Sequence, residues 1–130
     1  MENIITKTAV LSYLEKDIIL VKILENAEID VPESEENFLA SMELSEGKRY
    51  AILVDACVPV QVTPEARVYG SHPERQKKLI AQAIVVNSLA NRLIGNFLIK
   101  FNKPPAPTQL FADYETALKW LRKEIIKAKL

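Results

Sequence analysis

The sequence has a single cysteine, Cys57, and a single histidine, His72. An intramolecular disulfide is therefore excluded, and so is a typical Cys/His zinc cage, which needs about four ligands. Glycine is almost as scarce. None of the three (Gly47, Gly70, Gly95) stands in a G-x-G pattern, so there is no glycine-rich loop to cradle a phosphate. Apolar runs stay within six residues, against the roughly 20 needed to span a bilayer. The opening MENIITKTAV lacks the basic stretch and apolar core of a signal segment. We expect a cytoplasmic protein without membrane insertion. An excess of one charge is missing as well: 17 Lys+Arg balance 17 Asp+Glu, and no aromatic residue interleaves the Arg75-Gln76-Lys77-Lys78 cluster. That leaves little of the basic footprint that nucleic-acid binding requires.

What is present is apolar content, with 48% of the 130 residues hydrophobic and 26% charged. Such a chain reads as one domain, residues 1–130, able to bury about two-thirds of its unfolded surface. Residues 4–14 and 18–24 are β-rich runs split by Glu15-Lys16-Asp17, which suits a hairpin turn. Asp30 then caps a helix over about 32–44, with Pro32 in its first turn, Phe38, Leu39 and Met42 on one arc, and Gly47 as its left-handed exit. Tyr50-Ala51-Ile52-Leu53-Val54 is apolar on both faces and predicts a buried central strand ending at Asp55.

Further along, Thr63 with Pro64, and then Ser71-His72-Pro73-Glu74, open two short helices or one broken helix. Residues 79–86 form a second buried strand, and Asn87 and Ser88 lead into a helix over about 89–101. Its Leu89, Ala90, Leu93, Ile94, Phe97, Leu98 and Phe101 share one half of a 100° wheel, the half expected to face inward. Pro104-Pro105-Ala106-Pro107 forces an extended crossing to a short strand at 109–112. Asp113 caps a last helix over 114–129, striped by Tyr114, Ala117, Leu118, Leu121, Ile125 and Ala128.

The order β-β-α-β-α-β-α-β-α predicts an α/β fold: a mixed, mostly parallel sheet opened by an N-terminal β-hairpin and flanked by helices. Several phrases occur in this order. They are Lys48-Arg49-Tyr50-Ala51-Ile52-Leu53-Val54-Asp55, then Thr63-Pro64-Glu65-Ala66-Arg67, then Asn87-Ser88 with Arg92, Gly95 and Asn96-Phe97, and last Leu110-Phe111 with Ala117, Trp120 and Leu121. Together they resemble the STAS domain, the sulfate-transporter and anti-sigma-factor-antagonist fold, in its small stand-alone SpoIIAA-like branch. The resemblance implies the fold and a protein-interaction role. It also implies, in sigma-factor regulators, a phosphorylatable Ser or Thr opening the helix after the central strand, usually beside an Asp. Here Asp55 is followed by Ala56-Cys57-Val58-Pro59, and the first hydroxyl is Thr63, eight positions on. Thr63 is the positional candidate for such regulation, but a plain helix cap explains it without phosphorylation.

Ligands of open α/β sheets meet the carboxyl ends of the strands. Polar groups fall there: Asp55 after one strand, Thr63 and Arg67 in the next helix, Asn87, Ser88, Asn91 and Arg92 after the second, and Asp113 after the last. A helix N-terminus with Arg67 or Arg92 nearby can hold a phosphate or carboxylate. The alternative is that Thr63, Ser88 and Asp113 cap helices and the arginines are solvated. Ser88 is not in G-x-S-x-G, His72 lies in a proline turn, Cys57 suits a packed position, and Glu35 and Glu36 point apart. No catalytic constellation emerges, so we expect no enzyme, no metal and no cofactor.

Charge is unevenly placed: residues 1–62 carry a net −7 and residues 63–130 a net +7. Such a dipole steers acidic and basic surfaces together, within one monomer or between two copies. Ile99, beside small Gly95, and Trp120 fall outside the apolar stripes of their helices and are candidate interface residues. The leading expectation is a non-catalytic STAS-like interaction or regulatory module, a homodimer working through the helix at 88–101. The alternative is a small module for an apolar ligand or lipid, with that helix lining a cavity.

Overall fold

The computed structural model describes residues 2–130, apart from the side chain of Phe97. The chain opens with β1 (Asn3–Ile5), β2 (Ala9–Glu15) and β3 (Ile18–Ile23). The single first strand expected at 4–14 is thus two strands. The reason is local: Thr6 Oγ1 accepts the N–H groups of Thr8 and Ala9, at 3.3 and 3.0 Å, and so offers the backbone an alternative to the ladder. The β2–β3 turn passes through Asp17 at φ +67°. A further short strand, β4 (Ala27–Ile29), precedes α1 (Val31–Ser45). Asp30 caps α1 in a full capping box, accepting from Val31 N at 2.8 Å while Glu33 Oε1 accepts from Asp30 N at 2.9 Å. The helix exits through two left-handed residues, Glu46 at φ +54° and then the expected Gly47 at φ +77°.

The rest follows as β5 (Tyr50–Asp55), β6 (Val60–Val62), α2 (Pro64–Gly70), α3 (Pro73–Gln76), β7 (Leu79–Val85), α4 (Leu89–Asn102), β8 (Thr108–Phe111) and α5 (Tyr114–Lys129). The main sheet has the order β1-β2-β3-β5-β7-β8, antiparallel across the first three strands and parallel from β3 to β8. This is the mixed α/β architecture that the pattern predicts. Unforeseen is a second, two-stranded parallel sheet of β4 and β6. Three residues are too short for an alternation to register.

One face of the sheet is closed by α5. Ala117 and Leu121, both fully buried, and Ile125 pack with Ile18, Ala51, Leu53, Ala81, Ala83 and Val85. The small alanines on the central strands leave room for the helix to lie close. On the other face α1 brings Ala40 and Leu44 into a cluster with Leu11, Ile19, Val21 and Ile23. There β5 is expected to be buried on both sides and β7 to be buried, but Ile52, Val54, Gln82 and Ile84 are only half-buried.

The cause is α4, which does not lie across those strands. It packs against β8 at the edge of the sheet, with Gly95 so close to Leu110 that an added Cβ would run into Leu110 Cδ2. Its rotation is the reverse of the expected one. Arg92, Gly95, Leu98, Ile99 and Asn102 are half-buried, whereas Leu89, Leu93, Ile94 and Phe101 are 63%, 62%, 59% and 73% exposed. Phe97, assigned to the same row by its spacing, has its side chain outside the described residues. Gly95, which has no Cβ, lies on the inward side against Leu110 and permits this close approach.

Candidate functional site

The carboxyl ends of β5 and β7 carry a small polar cluster. Asp55, the last residue of β5, accepts a 2.5 Å bond from the Tyr114 hydroxyl at Oδ2 and one of 3.1 Å from Cys57 N at Oδ1. Asn87 Nδ2 donates to the Cys57 carbonyl at 3.1 Å, and the Cys57 thiol reaches the Val85 carbonyl at 3.6 Å. Burial pushes the Asp55 carboxyl up, but the Tyr114 hydroxyl and the Cys57 N–H outweigh it and hold the group below its ordinary value. Burial, reinforced by the bond to Asp55, raises the Tyr114 phenol far above its usual range. The Cys57 thiol is also pushed up, first by burial and then by Asp55, which is the opposite of an activated nucleophile. The cluster spends its polar atoms on itself and clamps α5 to the end of β5.

The other sequence-predicted residues lie elsewhere. Thr63 caps α2, accepting from Ala66 N at 3.1 Å, and its hydroxyl donates to Asp30 Oδ1 at 2.8 Å. The caps of α1 and α2 therefore meet where β4 and β6 end, with Thr63 N also bonded to the Ile29 carbonyl at 3.0 Å. Arg67 Nη1 donates to the Val62 carbonyl at 2.8 Å in the same neighbourhood. Ser88 caps α4 through Asn91 N at 3.1 Å, and Asp113 caps α5 through Thr116 N at 2.8 Å. Arg92 turns toward the body of the protein, where its Nε is buried and has no hydrogen-bond partner. Asp55 and Asn87 thus come together, Thr63 and Arg67 form a separate pair, and Ser88 and Arg92 depart along α4.

The candidate interface residues change places. Ile99 and Gly95 lie on the inward side of α4, and Trp120 is a half-buried rim residue against Phe111, ring centroids 5.5 Å apart. The surface that sequence reasoning missed is the outward row of Leu89, Leu93 and Ile94, continued by Phe101. Its one available signal was Gly95, which marks the side of the helix able to approach a neighbour. The aliphatics expected to line a cavity face solvent instead. Surface hollows of about 360 Å³ beside β4 and β6 (Asn26, Pro59, Gln61) and about 420 Å³ beside β2 and α1 (Tyr13, Glu43, Glu46) lie away from α4. Among the described residues no group of His, Cys, Asp and Glu could hold a metal ion, and no helix is long and apolar enough to cross a membrane.

Residues 12–125 match the family model of DUF7793, a domain of unknown function. Among solved structures, the chain is similar to an uncharacterized protein of the DUF3478 family with a SpoIIAA-like fold from Shewanella loihica PV-4. The identity is 15% at a TM-score of 0.60, covering 85% of this chain and 90% of that one. A protein with unknown function from Arthrobacter sp. FB24 is 24% identical over 86% of this chain and 97% of its own, at a TM-score of 0.33. No curated protein matches the chain. The first of these structures and the sheet order agree on a SpoIIAA-like fold.

Proposed function

The chain is a member of the DUF7793 family, and we propose that it is a non-catalytic, STAS-like module that works by contact, through the outward face of α4. The observation that carries this reading is the exposed row of Leu89, Leu93 and Ile94 on one helix. Isolated exposed leucines are ordinary, but a row on one face marks an interaction surface. Asp55, Thr63, Ser88 and Tyr114 are engaged in capping and clamping, which favours contact over chemistry.

Homodimerisation belongs to the same proposal, as pairing of two outward faces. A standard interface uses roughly 20–30 residues a side, so one helical row supports only weak, concentration-dependent pairing. The test is binding of an apolar fluorescent dye together with light scattering over a wide concentration range. Wild type is expected to bind the dye and drift toward dimer mass at high concentration. Leu93→Asn with Ile94→Asn is expected to abolish both with unchanged circular dichroism. A wild-type protein that neither binds dye nor associates would overturn the reading.

A further inference from the structure

We infer that the surface α4 docks on is an anionic lipid surface, with the helix lying in the headgroup layer. This rests on the reading of α4 as the working face and names its partner. The first ground is charge. From Arg75 to Ala112 the chain has six bases and no acid; Lys77, Lys100 and Lys103 are exposed, whereas Arg92 turns inward and Arg75 stacks on Tyr69 at 4.4 Å. Among the described residues no carboxylate forms an ion pair with Lys77, Lys100 or Lys103. The second ground is where the bases stand. On a 100° wheel Lys100 falls between Leu89 and Leu93, so an exposed ammonium shares the face of the exposed apolar row.

A second copy pairs with that face only weakly, since each face carries Lys100 and no acid to receive the other's ammonium. A headgroup layer suits it: the leucine and isoleucine side chains enter the acyl boundary while Lys100 extends its stem and leaves its ammonium among phosphates. The chain leaving α4 adds to this. Ala106 N donates to Gln76 Oε1 at 2.8 Å, tying the segment after Lys103 to α3, so Lys77 and Lys103 lie at the same end of the sheet. At about 21 Å, α4 is long enough to lie in the interface and too short to cross it. The acid-rich helix α1 packs on β2 and α2, and not on α4.

The test is co-sedimentation of the full chain with phosphatidylcholine vesicles, with and without about one-third phosphatidylglycerol. Wild type is expected to bind the anionic vesicles at least tenfold more tightly than the neutral ones, and to release as salt rises and screens the charges. Lys100→Glu is expected to lose most of that preference, and Leu93→Asn with Ile94→Asn to lose binding altogether, each with unchanged circular dichroism. Equal affinity for both vesicles, or none for either, overturns the inference. If dye binding and weak self-association persist in that case, α4 remains the working face and only its lipid partner is refuted. A tight dimer dispersed by Leu93→Asn with Ile94→Asn also overturns it, in favour of a second copy.

Discussion

Thr63 illustrates how much one hydroxyl can hold. It caps α2 through Ala66 N and donates to Asp30 Oδ1, the cap of α1, so two helix starts share one contact. Thr63→Ala is expected to cost about 1 kcal/mol, the ordinary value of a lost N-cap. Thr63→Glu, a mimic of the phosphate that the STAS resemblance raises, places a second negative charge beside Asp30 and should cost more than the alanine variant. Urea denaturation of both variants checks the order. A glutamate variant as stable as wild type would show that the site accepts a phosphate without strain. Asp55 makes a similar link over a longer span, since its Tyr114 partner lies 59 residues away. The sequence placed Asp55 at a strand end and Tyr114 at a helix start, but no local pattern joins them.

Among the elements, α4 is where periodicity and packing part. Its amphipathic row is plain in the sequence, yet the side turned to the sheet is the one that carries Gly95, against Leu110. The consequence is measurable by substitution. Leu93→Ala and Ile94→Ala, at exposed positions, are expected to change stability by no more than about 0.5 kcal/mol. Leu121→Ala, at a fully buried position of α5, should cost about 2–5 kcal/mol. A loss of that second size at Leu93 would place the row against the core after all. The short pair β4 and β6 is the complementary case. It has almost no periodic signature, but it ends at Asp30 and Thr63 and so aligns the two caps that the sequence did reveal.

Over the whole molecule, the opposite charges of the two halves meet in part within the monomer. Arg122 grips Glu15 through two bonds of 2.9 and 2.7 Å, and Lys129 reaches Asp17 at 3.0 Å, joining α5 to the β2–β3 hairpin. These exposed pairs are weak and screened by salt. Among the described residues, four carboxyls are held below their ordinary values in the folded chain. Glu15 is lowered chiefly by the Arg122 bond, Glu33 by the Asp30 N–H, and Asp113 by the Thr116 N–H. At Asp55 burial opposes the lowering and the Tyr114 and Cys57 bonds overcome it. Because the unfolded chain takes up these protons first, the stabilisation is complete above the ordinary carboxylate range near pH 4 and is lost as pH falls through the folded values. Urea midpoints should therefore drop between about pH 6 and pH 3. Tyr114→Phe should make that drop shallower by returning Asp55 toward its ordinary value. An unchanged slope would remove Asp55 from the acid response.

The amino-acid sequence by itself determined the alternation of strand and helix, the caps at Asp30, Thr63, Ser88 and Asp113, and the α/β class. Each of these is governed by neighbours within a few residues, through side-chain periodicity or a hydroxyl or carboxylate reaching its own backbone. Tertiary structure alone decided which side of α4 faces out, why Ile52, Val54 and Ile84 stay half-buried, and how Asp55 finds Tyr114. Those outcomes depend on contacts between residues far apart in the chain. An amphipathic helix has an apolar side from its sequence, but only the shape of what it packs against determines whether that side is covered.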